Sequence, residues 1–207
     1  MKVLVLSPHT DDAELGCGGS ISRMIEEGKE IFVAVFSTCD ESLPSEFEPG
    51  TLREECLNSL SFLGVKKENI FFMGYKVRFF KSERQPILED LVRLKNKINP
   101  DLVFLPSLND YHQDHVTIAE EGVRAFKNNC SILSYELSWN NTGFQNLLYI
   151  VLSEKNVEDK YQALSKYNSQ NFRSYFTYDF VRSLAKVRGV SNGVNFAESF
   201  EVIRFKI

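Results

Sequence analysis

Lys2-Val3-Leu4-Val5-Leu6-Ser7 is a short, mostly apolar run, and Pro8-His9-Thr10-Asp11-Asp12 follows it directly. Valine and leucine without polar alternation predict a strand that is buried on both faces of a parallel sheet. A helix is predicted over 20–28, where apolar residues recur at helical spacing and Gly28 is a typical stop. A second apolar run over 31–37 predicts another buried strand. Together they indicate the β-α-β unit of a parallel sheet.

The alternation of strands and helices continues along the chain. Further helices are predicted over 51–63, 86–98, 116–128, 154–167 and 178–187, and further strands over 70–73, 102–105, 132–137, 148–152 and 200–205. With 207 residues, the chain has the length of one domain. We therefore expect a single α/β domain over 1–207, a Rossmann-like sandwich of a mostly parallel sheet with helices on both faces. In the usual doubly wound order, 3-2-1-4, the first and fourth strands are neighbours.

Composition and charge exclude several classes of protein. The chain has 24 Lys and Arg against 28 Asp and Glu, a formal net charge of −4, so no nucleic-acid partner is expected. No apolar run reaches the roughly 18 residues of a membrane-spanning helix. The four cysteines show no C-x-x-C spacing and are expected to be reduced thiols, which favours a cytoplasmic protein. The sequence leaves open whether the chain forms a homo-oligomer.

All three histidines of the chain lie in two short acidic segments. One is the segment over 8–12 after the first strand, and the other is His112-Gln113-Asp114-His115, just beyond the fourth strand. Because these strands are neighbours in the predicted sheet, the loops that follow them meet at one edge. His9, Asp12 and one histidine of the second segment would offer two nitrogens and one carboxylate oxygen. That is the ligand set of a hydrolytic zinc site, although Fe²⁺ and other divalent ions accept the same ligand types.

The same residues also have structural interpretations. Asp11 or Asp12 can cap the helix that follows, and Asp114 can cap a helix starting near His115. The glycines over 16–19 resemble a dinucleotide-binding fingerprint, but Ile21 stands where that fingerprint requires its last glycine. The convergence of every histidine on one edge of the sheet favours a metal site over separate structural roles.

Both acidic segments match the signatures of a known family. Pro8-His9-Thr10-Asp11-Asp12 has the form (A/P)-H-x-D-D, and His112-Gln113-Asp114-His115 has the form H-x-D-H. On these motifs the chain resembles the PIG-L/LmbE family of zinc-dependent de-N-acetylases, which act on N-acetylglucosamine conjugates. The segments over 53–55, 167–170 and 197–200 agree with secondary features of that family. The chain departs from many members at residue 13, where it has Ala instead of Glu.

The resemblance implies an LmbE-like hydrolase that cleaves a linear amide bond. It would remove the N-acetyl group from an amino-sugar conjugate, such as a glycan, a sugar nucleotide or a glycosyl-thiol precursor, by attack of a zinc-bound water. His9, Asp12 and His115 would hold one Zn²⁺ per chain. Asp11 would act as the general base, and protonated His112 would stabilise the oxyanion.

The remaining site residues follow from the same resemblance and from side-chain chemistry. Asp114 or Asp110 would hold His112 in orientation, and Asp114 is therefore expected to be one of the catalytic residues. Arg53 is expected to contact the substrate, because a guanidinium can meet a phosphate or sugar hydroxyls, and Gln170 is expected to reach the pocket. The polar loops over 38–50 and 74–84 follow strands and are expected to border the crevice.

Two other functions stay open on the sequence. One is another single-metal hydrolase on the same ligands, such as a deformylase or a different amidase. The other is a non-catalytic module that binds a sugar or a nucleotide.

Overall fold

The computed structural model describes residues 1–206 and shows one seven-stranded sheet with α-helices on both faces. The strands are β1 (Lys2–Ser7), β2 (Glu30–Val35), β3 (Ile70–Phe72), β4 (Leu102–Pro106), β5 (Ser131–Tyr135), β6 (Leu148–Leu152) and β7 (Phe196–Arg204). The helices are α1 (Asp12–Glu26), α2 (Thr51–Leu63), α3 (Arg84–Ile98), α4 (Gln113–Phe126), α5 (Glu154–Leu164) and α6 (Tyr178–Ser191).

The strand order is β3-β2-β1-β4-β5-β7-β6, so the predicted 3-2-1-4 arrangement is confirmed. The first five strands of this order pair in parallel. β7 is antiparallel to both β5 and β6, which makes the sheet mixed at one end. β1 lies between β2 and β4, and this position brings the loops after β1 and β4 side by side.

The core consists of two apolar layers, one on each face of the sheet. Val3 and Val5 of β1 pack in the layer that contains α1, α2, α5 and α6, whereas Leu4 and Leu6 pack in the layer that contains α3 and α4. All four side chains are fully buried. Burial of such a side chain stabilises a fold by roughly 1.5–3 kcal/mol, which explains why an apolar run without alternation forms this central strand.

Every predicted helix and strand is present, but most of their boundaries differ from the sequence prediction by a few residues. β1, α2 and β6 cover the predicted residues, but α1 begins at Asp12 rather than at residue 20. The glycines over 16–19, a residue type that favours turns, lie inside α1 and allow this helix to pack closely against neighbouring elements. A Cβ at Gly16 would lie 2.3 Å from the ring of Tyr135, so close packing against β5 explains this glycine within the helix.

Two more elements, α4 and β7, begin earlier than the sequence predicts. α4 begins at Gln113, directly after His112, and not at residue 116. β7 begins at Phe196, before the predicted residue 200. None of the helices in residues 1–206 has the length and hydropathy that crossing a membrane would require.

Candidate active site

The loop after β1 fixes the first motif at the carboxyl edge of the sheet. The backbone N–H of His9 donates to Oδ2 of Asp12 (2.8 Å), and Ser7 Oγ donates to the carbonyl of His9 (2.6 Å). Asp11 is the N-cap residue of α1, but its side chain makes no capping hydrogen bond. The half-buried carboxylate of Asp11 instead lines a cleft at this edge.

The second motif forms the start of α4. His112 is the N-cap residue, and its Nδ1 accepts a hydrogen bond from the backbone N–H of Asp114 (3.2 Å). Asp114 and His115 lie in the first turn of the helix, so the capping role considered for Asp114 belongs to His112. Asp110, just before the helix, accepts from the backbone N–H of His112 (2.7 Å) and thereby fixes the loop.

Three ligand atoms from the two motifs meet in one compact triangle. Nδ1 of His9 lies 3.1 Å from Nε2 of His115 and 3.2 Å from Oδ2 of Asp12. The third side, from Nε2 of His115 to Oδ2 of Asp12, measures 3.3 Å. Ligands placed tetrahedrally at the usual zinc distances of about 2.0–2.1 Å are about 3.3 Å apart, so the donor set matches a small divalent cation in type and in spacing.

The imidazole of His112 lies beside this triangle. One nitrogen of each of the three histidines lies within 4.8 Å of the others. The ring of His112 packs against the ring of His115 with centroids 4.8 Å apart. The triangle of His9, Asp12 and His115, with sides of 3.1–3.3 Å, is more compact than the set of three histidine nitrogens. In addition, Nδ1 of His112 already accepts a backbone hydrogen bond.

Two buried carboxylates bind the outer nitrogens of the ligand histidines. Oδ2 of Asp110 lies 2.9 Å from Nδ1 of His115, and Oδ2 of Asp114 lies 3.2 Å from Nε2 of His9. Such pairs fix the tautomer and the orientation of a metal-binding imidazole. The structure thus gives the Asp114 carboxylate a different neighbour, His9, from the expected His112. Its carboxylate lies behind His9, fully buried, and the ring of His112 meets only its backbone N–H.

Charge concentrates on the ligand triangle. Burial disfavours a charged His115, but the carboxylates of Asp12 and Asp110 outweigh burial and raise the pKa of His115 to about 10. Burial also opposes ionisation of Asp12, yet the two ligand histidines hold its pKa well below the usual range. These side chains thus attract positive charge to the point that a cation would occupy.

In the other two polar groups of the site, Asp11 and His112, the pKa is shifted in the direction that favours the neutral form. Burial, reinforced by the charge of Asp12, raises the pKa of Asp11 to about 6. Burial and the neighbouring His9 and His115 lower the pKa of His112 to about 4. Its Nδ1 accepts a hydrogen bond, so a neutral His112 carries its proton on Nε2.

The motifs form the inner wall of a cleft of about 380 Å³, a volume within the roughly 300–1,000 Å³ range of ligand pockets. Both predicted loops border the cleft, the first through Cys39 and Ser42 and the second through Val77 and Arg78. The last third of the chain supplies the remaining wall, in which the rings of Trp139 and Tyr175 stack with centroids 4.0 Å apart. The cleft thus combines a charged inner wall with a partly aromatic outer wall.

The two residues expected to bind substrate have different locations. Arg53 is exposed, and its guanidinium lies 4.5 Å above the ring of Phe72, in a groove beside β3 and away from the cleft. The structure therefore places Arg53 outside the cleft, on the exposed side of α2. Gln170 does reach the cleft wall, but it is buried and its Oε1 accepts from Nε of Arg173 (2.7 Å).

Sequence reasoning missed two arginines of the cleft, Arg78 and Arg173. Arg173 follows Gln170 by three residues, so the segment over 167–170 was a usable signal. Arg78 has a positive φ of 72°, which is uncommon for a residue other than glycine, and nothing in the local sequence indicates it. Its backbone N–H donates to Oδ2 of Asp114 (2.6 Å), so the loop over 74–84 is tied to the ligand network.

Comparisons with known proteins show which family and which relatives the chain is similar to. The family described as "PIG-L: GlcNAc-PI de-N-acetylase" matches residues 4–126, a range that contains both motifs. The Escherichia coli (strain K12) protein "Uncharacterized deacetylase YaiS" is 27% identical over 172 residues, which are 81% of this chain and 90% of that protein.

Two solved structures share the fold. The conserved protein TT1542 from Thermus thermophilus has a TM-score of 0.80 at 22% identity, covering 99% of this chain and 95% of its own. The N,N'-diacetylchitobiose deacetylase from Pyrococcus horikoshii, complexed with its inhibitor MPG, has a TM-score of 0.79 at 24% identity, covering 98% of this chain and 83% of its own. At these identities the likeness establishes a common architecture.

Proposed function

The chain belongs to the PIG-L family of de-N-acetylases and is a hydrolytic deacetylase, and we propose that it removes the N-acetyl group from an N-acetyl amino-sugar conjugate with one bound divalent cation, Zn²⁺. The observation that carries the proposal is the triangle of Nδ1 of His9, Oδ2 of Asp12 and Nε2 of His115, with sides of 3.1–3.3 Å. This donor set lies at the bottom of a cleft large enough for a small ligand.

His9, Asp12 and His115 would hold the cation. Two imidazoles and one carboxylate suit Zn²⁺, and Fe²⁺ accepts the same ligands. When bound, the cation supplies a Lewis acid that polarises the amide carbonyl and lowers the pKa of a water molecule. Asp110 and Asp114 keep the two histidines oriented through their outer nitrogens.

Asp11 is the proposed general base. Its carboxylate lies next to ligand Asp12, lines the cleft and makes no capping hydrogen bond to α1. It can therefore accept the proton of the attacking water and return that proton to the amine as the amide bond breaks.

His112 is the proposed oxyanion donor. Its Nδ1 accepts from the backbone of Asp114, so a neutral imidazole presents an N–H at Nε2. That group can donate to the oxyanion of the tetrahedral intermediate without a positive charge on the ring. This differs from the protonated form that the family resemblance implied, because burial and the other two histidines lower the pKa of His112 to about 4.

An amino sugar is the proposed substrate class for two reasons. A structural neighbour is named as a deacetylase of N,N'-diacetylchitobiose, and the cleft places the aromatic residues Trp139 and Tyr175 beside the polar site. The proposed domain spans 1–207, beyond the matched range 4–126, because residues after 126 complete the cleft wall.

A cytoplasmic location is part of the proposal. All four cysteines of the chain are free and buried, as expected where thiols stay reduced. The absence of a nucleic-acid partner stays a prediction from the charge balance, and a homo-oligomer stays open.

An amine-release screen tests the proposed function. The protein is stripped with a chelator, reloaded with Zn²⁺, and incubated with N-acetyl sugars in free, lipid-linked and nucleotide-linked forms. We expect release of acetate and of a free amine, in equal amounts, from at least one substrate. Binding of these sugars without release would instead favour the non-catalytic module, and release of formate from N-formyl sugars alone would favour a deformylase.

A further inference from the structure

The proposed reaction uses none of the side chains of the segment over 167–170, although three of them are buried. These are Tyr167, Ser169 and Gln170. The backbone N–H and the hydroxyl of Ser169 both donate to the carboxylate of Glu55 in α2, at 3.0 and 2.6 Å. Two hydrogen bonds to one buried side chain thus anchor the segment to α2.

The hydroxyl of Tyr167 connects this segment to the loop that carries Asp11. It donates to the backbone carbonyl of Thr10 (2.5 Å), a residue 157 positions away in the sequence. Oε1 of Glu14 lies 3.0 Å from the same hydroxyl. A tyrosine hydroxyl has one proton, and the carbonyl of Thr10 is its nearer acceptor. The ring packs edge-on against Phe176, with centroids 5.9 Å apart, so the hydroxyl has a fixed position.

The carboxylate of Asp11 lacks the partners that the proposed metal ligands have. Carboxylates bind the outer nitrogens of His9 and His115, and the backbone N–H of His9 donates to Asp12. Asp11, in contrast, makes no capping hydrogen bond to α1, and no ion pair within residues 1–206 includes it. The direction of the Asp11 side chain therefore depends on the backbone that carries it.

We infer that Tyr167 is a positioning residue of the proposed reaction, and that its hydroxyl orients the general base Asp11 by holding the carbonyl of Thr10. The inference rests on the proposed function. That carbonyl belongs to the planar peptide group between Thr10 and Asp11, so fixing it restricts the direction in which the Asp11 side chain leaves the backbone. A general base must lie within hydrogen-bond distance of the proton that it accepts. A displacement of about 1 Å can lower a rate by about 10²-fold.

Tyr167→Phe removes the hydroxyl and keeps the ring. We expect kcat to fall by about 10- to 100-fold on a substrate that the unmodified protein deacetylates, because Asp11 is no longer held in one direction. KM, and the affinity for Zn²⁺ measured by competition with a chelator, should stay within about twofold, since the hydroxyl contacts Thr10 and Glu14 rather than a proposed ligand. Tyr161→Phe is the matched control, because Tyr161 lies in α5 and does not line the cleft, and it should behave as the unmodified protein.

A double-mutant cycle with Asp11→Asn separates positioning from general support of the fold. If Tyr167 acts through Asp11, Tyr167→Phe should leave the residual kcat of Asp11→Asn, measured at high protein concentration, within about twofold. A purely structural role would lower kcat by the same factor in both backgrounds.

Two results would overturn the inference: an unchanged kcat in Tyr167→Phe, or an equal loss of kcat with and without Asp11. If Tyr167→Phe fails to fold, Glu55→Gln takes its place in the cycle. It weakens the anchor of the segment at Ser169 and should lower kcat severalfold only where Asp11 is present. Neither overturning result touches the proposed function, whereas no amine release by the unmodified, zinc-loaded protein would overturn that function and this inference together.

Discussion

The inner wall of the cleft comes from two short segments next to β1 and β4, whereas its outer wall comes from loops spread along the chain. The inner side chains Asp12 and His115 are buried, and carboxylates orient the ligand histidines from behind. The outer wall includes the exposed Arg78 and the half-buried Arg173, which neutral groups hold. The side chains of the inner wall are thus held in fixed positions, whereas those of the outer wall are accessible to a ligand.

This contrast predicts that the two walls can be altered separately. Residues after neighbouring parallel strands meet because of the topology, so two contiguous motifs suffice to assemble the inner wall. The outer wall requires the conformations of the loops over 38–50 and 74–84, together with the segment over 170–175. Substitutions in the inner wall should lower turnover of every substrate, and substitutions in the outer wall should change which substrate is preferred.

Among variants that keep the zinc ligands, the largest loss of turnover is expected from Asp11→Asn. Asparagine keeps the size of the side chain but cannot accept the proton of water, so kcat should fall by about 10²- to 10⁴-fold. Zinc content, measured by elemental analysis, should stay unchanged because Asp11 is not one of the three proposed ligands. Normal turnover of the Asp11→Asn variant would show that Asp11 is not the general base.

A smaller loss is expected from His112→Ala. Removal of an oxyanion donor typically lowers kcat by about 10²- to 10³-fold, and KM should change little. His112→Gln provides the matched control, since its amide can still donate a hydrogen bond and should retain part of the rate. Steady-state kinetics of the two variants measure the difference. Equal losses in both would indicate that the imidazole acts in some other way.

Asp114→Asn separates positioning from catalysis. The carboxylate lies 3.2 Å from Nε2 of His9, and the loss of such a partner typically weakens metal binding by about 10- to 100-fold. Competition with a chelator measures that affinity, and saturating zinc should restore most of the turnover. Glu120→Gln is the control on the same helix, because among residues 1–206 Glu120 forms an ion pair with Arg84 alone, at the surface. If turnover stays low at saturating zinc, Asp114 takes part in the reaction after all.

The smallest effect is expected from Arg53→Gln. The side chain lies over Phe72, outside both walls of the cleft, so kcat/KM should stay within about twofold for every substrate. A clear loss would mean that the substrate extends to the groove beside β3.

The sequence predicted those parts of the fold and site that depend on contiguous residues. The unbroken apolar run of β1 predicts a strand buried on both faces, and the alternation of elements predicts the order β3-β2-β1-β4 but not the order of the other three strands. His9, Asp12 and His115 were expected near one another for the same reason, and the structure places them there. Their roles as ligands stay a proposal.

The remaining features depend on contacts between residues far apart in sequence. α1 begins earlier than predicted, and Gly16 within it fits against Tyr135 of β5, a contact that helix propensity does not encode. The partner of the Asp114 carboxylate is His9, 105 residues away, so the motif itself could not assign it. Arg78 depends on a loop conformation with positive φ that no local residue type indicates. Such tertiary contacts determine which side chains line the outer wall, so the sequence alone did not predict them.

Titration of the metal-stripped protein with Zn²⁺ tests whether turnover requires a cation held by the ligand triangle. The unmodified chain should show no turnover without metal, and its turnover should rise with added Zn²⁺ and saturate at one ion per chain. His115→Ala removes one side of the ligand triangle and should neither retain zinc at that level nor recover turnover. Full amine release by the stripped protein, or by zinc-free His115→Ala, would contradict a deacetylase that works through a cation held by His9, Asp12 and His115.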